Sequence, residues 1–312
     1  MKRTLISILI IMGCVNIQAQ TNISAGNVSG TWTKAGSPYK VNGNITISNG
    51  NTLTIEPGVR IEFAFKTYIK VDGRILAKGG KNSSDSIWFT KQMTHDTGSW
   101  KGVKFINTAN TNDTSEFKYC VFRHCKSLWD TAKANISGGI TVMGYGKVKI
   151  NNSTFYRNEA NIGACLFLTR SAYAKVVSCE FKINKASRFT YWNGSAEAAF
   201  RVRGSAIAVE YFSNVFVDSS IFRNNIRGKD YRSSPSILLE ASVIDIEGES
   251  SNNLKTGGII NNSVFDGNEG ITIYSYYKTN TYLNSCTFKN APKGKSLYVF
   301  YTLSSSNNLI YN

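Results

Sequence analysis

Apolar and polar residues alternate over short runs along most of this chain, and the runs recur. Ile140/Val142, Leu166/Leu168 and Ile207/Val209 each begin 15 residues before a phenylalanine (Phe155, Phe181, Phe222), and looser copies are Ile244/Ile246, Ile271/Ile273 and Leu297/Val299. Period-two alternation puts both members of a pair on one face of a strand. Each phenylalanine ends a second alternating phrase: Ser or Cys, any residue, Phe, usually with Asn three positions later. Its copies centre on Phe122, Phe155, Phe181, Phe222, Phe265 and Phe288. Every unit therefore holds at least two short strands separated by turns rich in Gly and Asn. A unit this small cannot bury its apolar face alone, so the units stack on one another and share a core.

The same alternation opens the chain, at Ile45/Ile47, Leu53/Ile55, Ile61/Phe63 and Ile69/Val71, with breaks at Gly43, Asn49-Gly50, Pro57-Gly58 and Asp72-Gly73. The pattern predicts an all-β chain: a single parallel β-helix over residues 39–312, of roughly nine or ten coils and about 45 Å long. Residues 20–38 are polar and Gly-rich around Trp32 and are expected to cap the first coil, because an open stack end invites edge pairing.

Tyr39-Lys-Val-Asn-Gly-Asn-Ile-Thr-Ile47, Leu53-Thr-Ile-Glu-Pro-Gly-Val-Arg-Ile-Glu-Phe63, Val71-Asp-Gly-Arg-Ile-Leu-Ala77 and Gly98-Ser-Trp-Lys-Gly-Val-Lys-Phe105 resemble the opening coils of secreted right-handed parallel β-helix proteins of the Bacteroidetes type. The later Asn-Ser-x-Phe-x-x-Asn coils resemble the same pectin-lyase-like solenoids. The resemblance implies a right-handed β-helix and export. It implies no single activity, because this fold carries lyases, hydrolases and adhesins alike.

Residues 1–19 change the picture of location. Lys2-Arg3, the apolar stretch Leu5 to Val15 and the site around Ile17-Gln18-Ala19 are the three parts of a secretory signal. The expected location is extracellular or at the cell surface. Gly13-Cys14 also fits, less well, a lipoprotein anchored through Cys14. No segment is long and apolar enough to predict a membrane span. Cys120, Cys179 and Cys286 occupy the positions of Ser153, Ser220 and Ser263, so they read as small inward residues. Cys120 and Cys179 are two coils apart, at ~4.8 Å per coil, which is too far for a disulfide. Two histidines, His95 and His124, give no zinc spacing, and no cofactor or metal is expected.

The formal charge is +16. For an exported chain this points away from nucleic acid and towards acidic polysaccharide, an envelope glycan or an anionic membrane surface. Coil arithmetic suggests where. From each apolar pair to the next Phe the spacing holds at 15, whereas from Phe to the next pair it varies from 6 to 26. The extra length is thus expected to leave the stack at one corner, and insertions on one side shape a binding face. The two longest insertions belong to adjacent coils. They and their borders hold Lys185, Arg188, Tyr191, Trp192, Arg201 and Arg203, then Arg227, Lys229, Tyr231 and Arg232, with Trp129 on an earlier insertion. The residue after each repeat Phe gives a largely basic outward column that includes Arg223. Arg presents a planar fork to carboxylate or sulfate, and aromatic faces stack on sugars.

Catalysis has less support. Glycoside hydrolysis needs paired carboxylates, and the outward acids Asp218, Asp245 and Asp266 fall on different strands or coils. A uronate lyase needs only cations and a base, which Lys185, Tyr191, Arg201 and Arg203 could provide. The leading expectation is a non-catalytic exported protein that binds acidic glycan through its basic and aromatic insertions. The alternatives are a polysaccharide lyase and an adhesin-like stalk.

Overall fold

A computed structural model describes residues 20–93, 99–106, 108–127, 138–187, 190–192, 197–199, 202–227, 242–248, 256–277, 279–292, 297–300, 303–306 and 308–310. The chain is a parallel β-helix. Each coil gives one strand to each of three sheets: sheet A (from Thr21–Ile23 to Leu309–Ile310), sheet B (from Gly26–Asn27 to Leu297–Phe300) and sheet C (from Gly30–Trp32 to Leu303–Ser306). Sheet A has eleven strands, and sheets B and C have ten each. A fourth, short sheet follows sheet A in four coils, through Lys126–Ser127, Glu159–Ala160, Lys185–Ala186 and Ile226–Arg227. Among the described residues no helix is long and apolar enough to cross a membrane.

The alternation works as the sequence predicts. The repeat phenylalanines face inward and stack coil upon coil: from Phe89 through Phe122, Phe155, Phe181, Phe222 and Phe265 to Phe288, neighbouring ring centroids lie 4.7–4.9 Å apart with planes within 10°. That spacing is the inter-strand distance, so each ring meets an offset neighbour at no cost to the backbone ladder.

The rest of the phrase is turn chemistry. The residue before each Ser or Cys has positive φ (Tyr119, Asn152, Ser178, Ser219, Asn262 and Ser285, 49–54°), and so does the second residue after Phe (His124, Arg157, Ile183, Asn224, Gly267 and Asn290, 51–63°). These two left-handed residues bend the chain into and out of sheet A. At the first bend the small polar side chain is both acceptor and donor. Cys120 N–H donates to Ser153 Oγ (3.1 Å), and Ser153 Oγ donates to Asn151 O (2.8 Å). Cys179 N–H to Ser220 Oγ and Ser220 N–H to Ser263 Oγ continue the column at 3.1 and 3.2 Å. All five described cysteines are unpaired and buried. Burial pushes the Cys120 and Cys125 thiols up, and that of Cys179 to about 12, so they stay protonated at neutral pH and act as packing groups.

At the second bend the asparagines form a buried ladder. Asn184 Nδ2 donates to Phe155 O (3.0 Å) and to Asn225 Oδ1 (3.0 Å), while its Oδ1 accepts from Asn158 N (3.0 Å) and Asn158 Nδ2 (3.1 Å). Asn225 repeats the arrangement with Asn268. Cys125, at the head of the ladder, donates its N–H to Asn158 Oδ1 (3.0 Å).

Several expectations need correction. Residues 20–38 do cover the next coil, but as one more turn of the helix: Thr21–Ile23, Gly26–Asn27 and Gly30–Trp32 pair with the strands of the following coil, and Trp32 stacks on Tyr39 at 4.6 Å. The pair aligned with Ile244/Ile246 is Ile273/Ser275, one pair later than Ile271/Ile273. A serine fits there because Ser275 Oγ bonds to Thr279 and Thr281 hydroxyls inside the core. Extra length is not confined to one corner: the sheet B strand that ends at Glu247 is followed by a sheet C strand only at Gly257, whereas one coil earlier Glu210 is followed by Asn214. Asp245 lies on the outward side of sheet B, opposite Ala208 and Tyr274, yet it is only 4% exposed and accepts from Ser242 Oγ (2.9 Å).

Candidate functional site: a cationic and aromatic face on sheet A

From Ile87–Lys91 to Thr287–Lys289 each strand of sheet A turns its inward Phe to the core and the flanking residues outward, so register alone assembles the outer face. One outward column runs Arg60, Trp88, Val121, Thr154 and Glu180. The other runs Arg123, Tyr156, Lys182, Arg223, Asp266 and Lys289. Small residues at Val121 and Thr154 between the large Trp88, Arg123, Tyr156 and Lys182 leave a shallow depression of about 490 Å³, closed at one side by Ile183.

Its walls hold cations against rings. The Arg123 guanidinium lies 4.9 Å from the Trp88 ring centroid and is fixed by Nε donating to Thr90 Oγ1 (3.1 Å). Lys182 and Arg157 sit 5.7 and 5.0 Å from the Tyr156 centroid. Neither Arg123 nor Arg157 has a carboxylate partner among the described residues. Burial and the neighbouring Arg60 pull the Arg123 pKa below its ordinary value, the sign of a cation in a positive field. Further along the column the charge is compensated: Lys182 pairs with Glu180 (3.1 Å), and Arg223 approaches Glu180 (4.0 Å) and Asp266 (3.8 Å).

His124 follows Arg123 at a left-handed bend, with its ring 6.3 Å from that of Tyr156 and its Nδ1 buried without a hydrogen-bond partner among the described residues. Burial, then Arg123, Lys91 and Arg157, lower its pKa to about 4. The imidazole is therefore neutral at pH 7, a weak base amid cations.

The residues singled out in the sequence separate into groups. Lys185 is exposed, 4.0 Å from Glu159, which Lys126 also pairs with at 2.9 Å. Burial would raise the Glu159 pKa, but hydrogen bonds from Ser187 and Lys126 and the charges of Lys126 and Lys185 outweigh it, and the pKa is lowered. Arg203 is engaged within the protein: it bridges Glu210 (2.9 Å) and Glu247, which are register partners on adjacent coils. The three line a small cavity of about 100 Å³ with Tyr211 and Gly248. Arg223 belongs to the sheet A face. Tyr191 and Trp192 fall in an antiparallel hairpin, Thr190–Trp192 with Glu197–Ala199, and Arg227 ends a strand of the short sheet, but their side chains lie outside the described residues. Arg188, Arg201, Lys229, Tyr231, Arg232 and Trp129 also lie outside them.

Sequence reasoning named the basic column but not Trp88 or His124 as parts of one site. The residue before Phe89 was the available signal for Trp88, since it is outward by the same alternation. It also passed over Glu210 and Glu247, although Ile207-Ala-Val-Glu210 and Ile244-Asp-Ile-Glu247 are copies of one phrase. Among the described residues no three His, Cys, Asp or Glu side chains converge.

A family model described as a pectate-lyase like β-helix domain matches residues 26–122, from the second strand of the first coil to the repeat phrase at Phe122. No curated protein matches the chain.

Proposed function

We propose that this is an exported protein that binds acidic polysaccharide on the outer face of sheet A. The observation that carries the reading is the pairing of rings with cations in one open depression, Trp88 with Arg123 and Tyr156 with Lys182, while Arg157 also lies on the Tyr156 ring. Rings stack on pyranose faces, and guanidinium groups without carboxylate partners attract uronate or sulfate groups. The face is open along the helix axis, which suits a polymer.

The test is binding of purified protein to uronate and sulfated polymers, with neutral glucans as reference, across a salt series. Arg123→Gln and Lys182→Gln are expected to weaken binding on the order of tenfold each, as loss of a charge-assisted hydrogen bond does, and high salt should abolish it. Binding that is salt-independent, or equal for neutral polymer, overturns the reading.

His124 supports a second reading, a uronate lyase. A neutral imidazole beside Arg123 could accept the proton α to a carboxylate that the cations neutralise, before elimination of the glycosidic oxygen. Absorbance of the unsaturated end during incubation with uronate polymers decides between the two. A rise abolished by His124→Gln makes the protein an enzyme, and a flat trace leaves a binder.

A further inference from the structure

The outer face of sheet C has a different character. Its central outward column reads Glu116, Lys149, Lys175, Phe216, Ile259 and Tyr282 on consecutive coils. The column switches from cationic to apolar at one step, where Lys175 Nζ lies 5.2 Å from the Phe216 ring. Lys149 and Lys175 are exposed and have no carboxylate partner among the described residues, and Lys118 on the neighbouring coil adds a third cation. The apolar part is open to solvent: Ile259 is 43% and Tyr282 46% exposed, and the exposed Tyr173 lies on the same face, two residues before Lys175. Among the described residues, three of the six exposed large hydrophobic side chains, Tyr173, Ile259 and Tyr282, fall on this face.

Such concentration marks a contact surface. A parallel β-sheet face of a solenoid is flat, and the six coils of this column extend over roughly 24 Å at the inter-strand spacing. A basic block next to an apolar block in one plane complements a surface with negative charge outside and hydrocarbon beneath. We propose that sheet C docks on an anionic lipid bilayer, with Lys118, Lys149 and Lys175 at lipid phosphates and Phe216, Ile259 and Tyr282 in the headgroup layer. Ile259 argues against a sugar platform here, because it interrupts the row of rings that sugars would need, whereas a bilayer accepts aliphatic and aromatic groups alike. The inference is independent of glycan binding, which uses a different face.

Sedimentation with vesicles of phosphatidylcholine, with and without phosphatidylglycerol, tests it. The protein should bind the mixed vesicles at low salt and leave them at high salt. Lys149→Gln and Lys175→Gln should each weaken partition roughly fivefold, the effect expected of one lysine near an anionic surface. Ile259→Ser with Tyr282→Ser, on the solvent face and so compatible with folding, should remove most of the binding while circular dichroism stays unchanged. Arg123→Gln, on sheet A, should leave it intact. No partition onto anionic vesicles at low salt overturns the proposal, as does partition that survives Ile259→Ser with Tyr282→Ser. So does a concentration-dependent dimer that those substitutions abolish, since the face would then be a protein interface.

Discussion

Replacing Asn184 tests whether the buried asparagine ladder holds the bend after sheet A as firmly as its geometry implies. Asn184 is 0% exposed, and its side chain takes part in four hydrogen bonds, to Phe155 O, Asn225 Oδ1, Asn158 N and Asn158 Nδ2. Asn184→Ala strands one backbone N–H, one amide N–H and one carbonyl in the interior. At about 1–3 kcal/mol for each buried group left unpaired, the loss should be about 3–9 kcal/mol, nearer the lower figure if a water fills the gap. Asn184→Asp keeps the shape and one acceptor but turns an oxygen towards Phe155 O and Asn225 Oδ1. The buried carboxyl resists ionising, so its folded pKa lies above the unfolded value of about 3.9. Stability is then fullest below about pH 4 and falls as pH rises towards the folded pKa, by about 1.4 kcal/mol per unit. The assay is urea unfolding by far-ultraviolet circular dichroism at several pH values, with the wild type as reference. Coils interact only with their neighbours, so a shift in midpoint with unchanged slope is the relevant reading. An alanine variant within about 1 kcal/mol of the wild type, or an aspartate penalty that is flat with pH, would refute the reasoning.

Arg203→Met should cost about 3–5 kcal/mol, because it leaves Glu210 and Glu247 facing each other in a largely buried site, and removing their repulsion with Glu247→Gln should recover part of the loss; thermal unfolding of the single and double variants checks this. Ile183 is a β-branched residue at φ 54°, a conformation costing roughly 1–2 kcal/mol for such a side chain. Ile183→Asn should therefore raise the urea midpoint, and an unchanged or lower midpoint would mean that its packing beside Tyr156 outweighs the strain. His124, with its folded pKa lowered to about 4 against about 6.5 unfolded, resists protonation when folded. Stability is unaffected above pH 6.5 and falls as pH drops towards 4, and His124→Gln should flatten that limb of the stability–pH curve.

The fold was legible because two periods coincide. Alternation marks which residues face inward, and the recurrence of Ser/Cys-x-Phe-x-x-Asn marks where each coil begins. Both survive in sequence because the six coils that carry the phrase repeat the same bend, with left-handed residues at the same two positions. Even the cysteines were readable as space-filling, since they share a column with serines. The register error at Ile271/Ile273 came where a serine took a core position, and nothing in the order of residues says that two threonine hydroxyls wait for it.

The chain's own order determined the solenoid, the inward Phe, Ser/Cys and Asn columns, and the largely basic column that follows the Phe residues. Tertiary structure decided which cations are engaged and which are not. Arg203 and Arg123 look alike in sequence, yet one bridges two glutamates and the other lies on Trp88, 35 positions earlier, with no ion pair among the described residues. The reason is that partners on a β-helix surface are set by stacking: residues one coil apart lie about 5 Å from each other, while the sequence distance between them changes with every insertion.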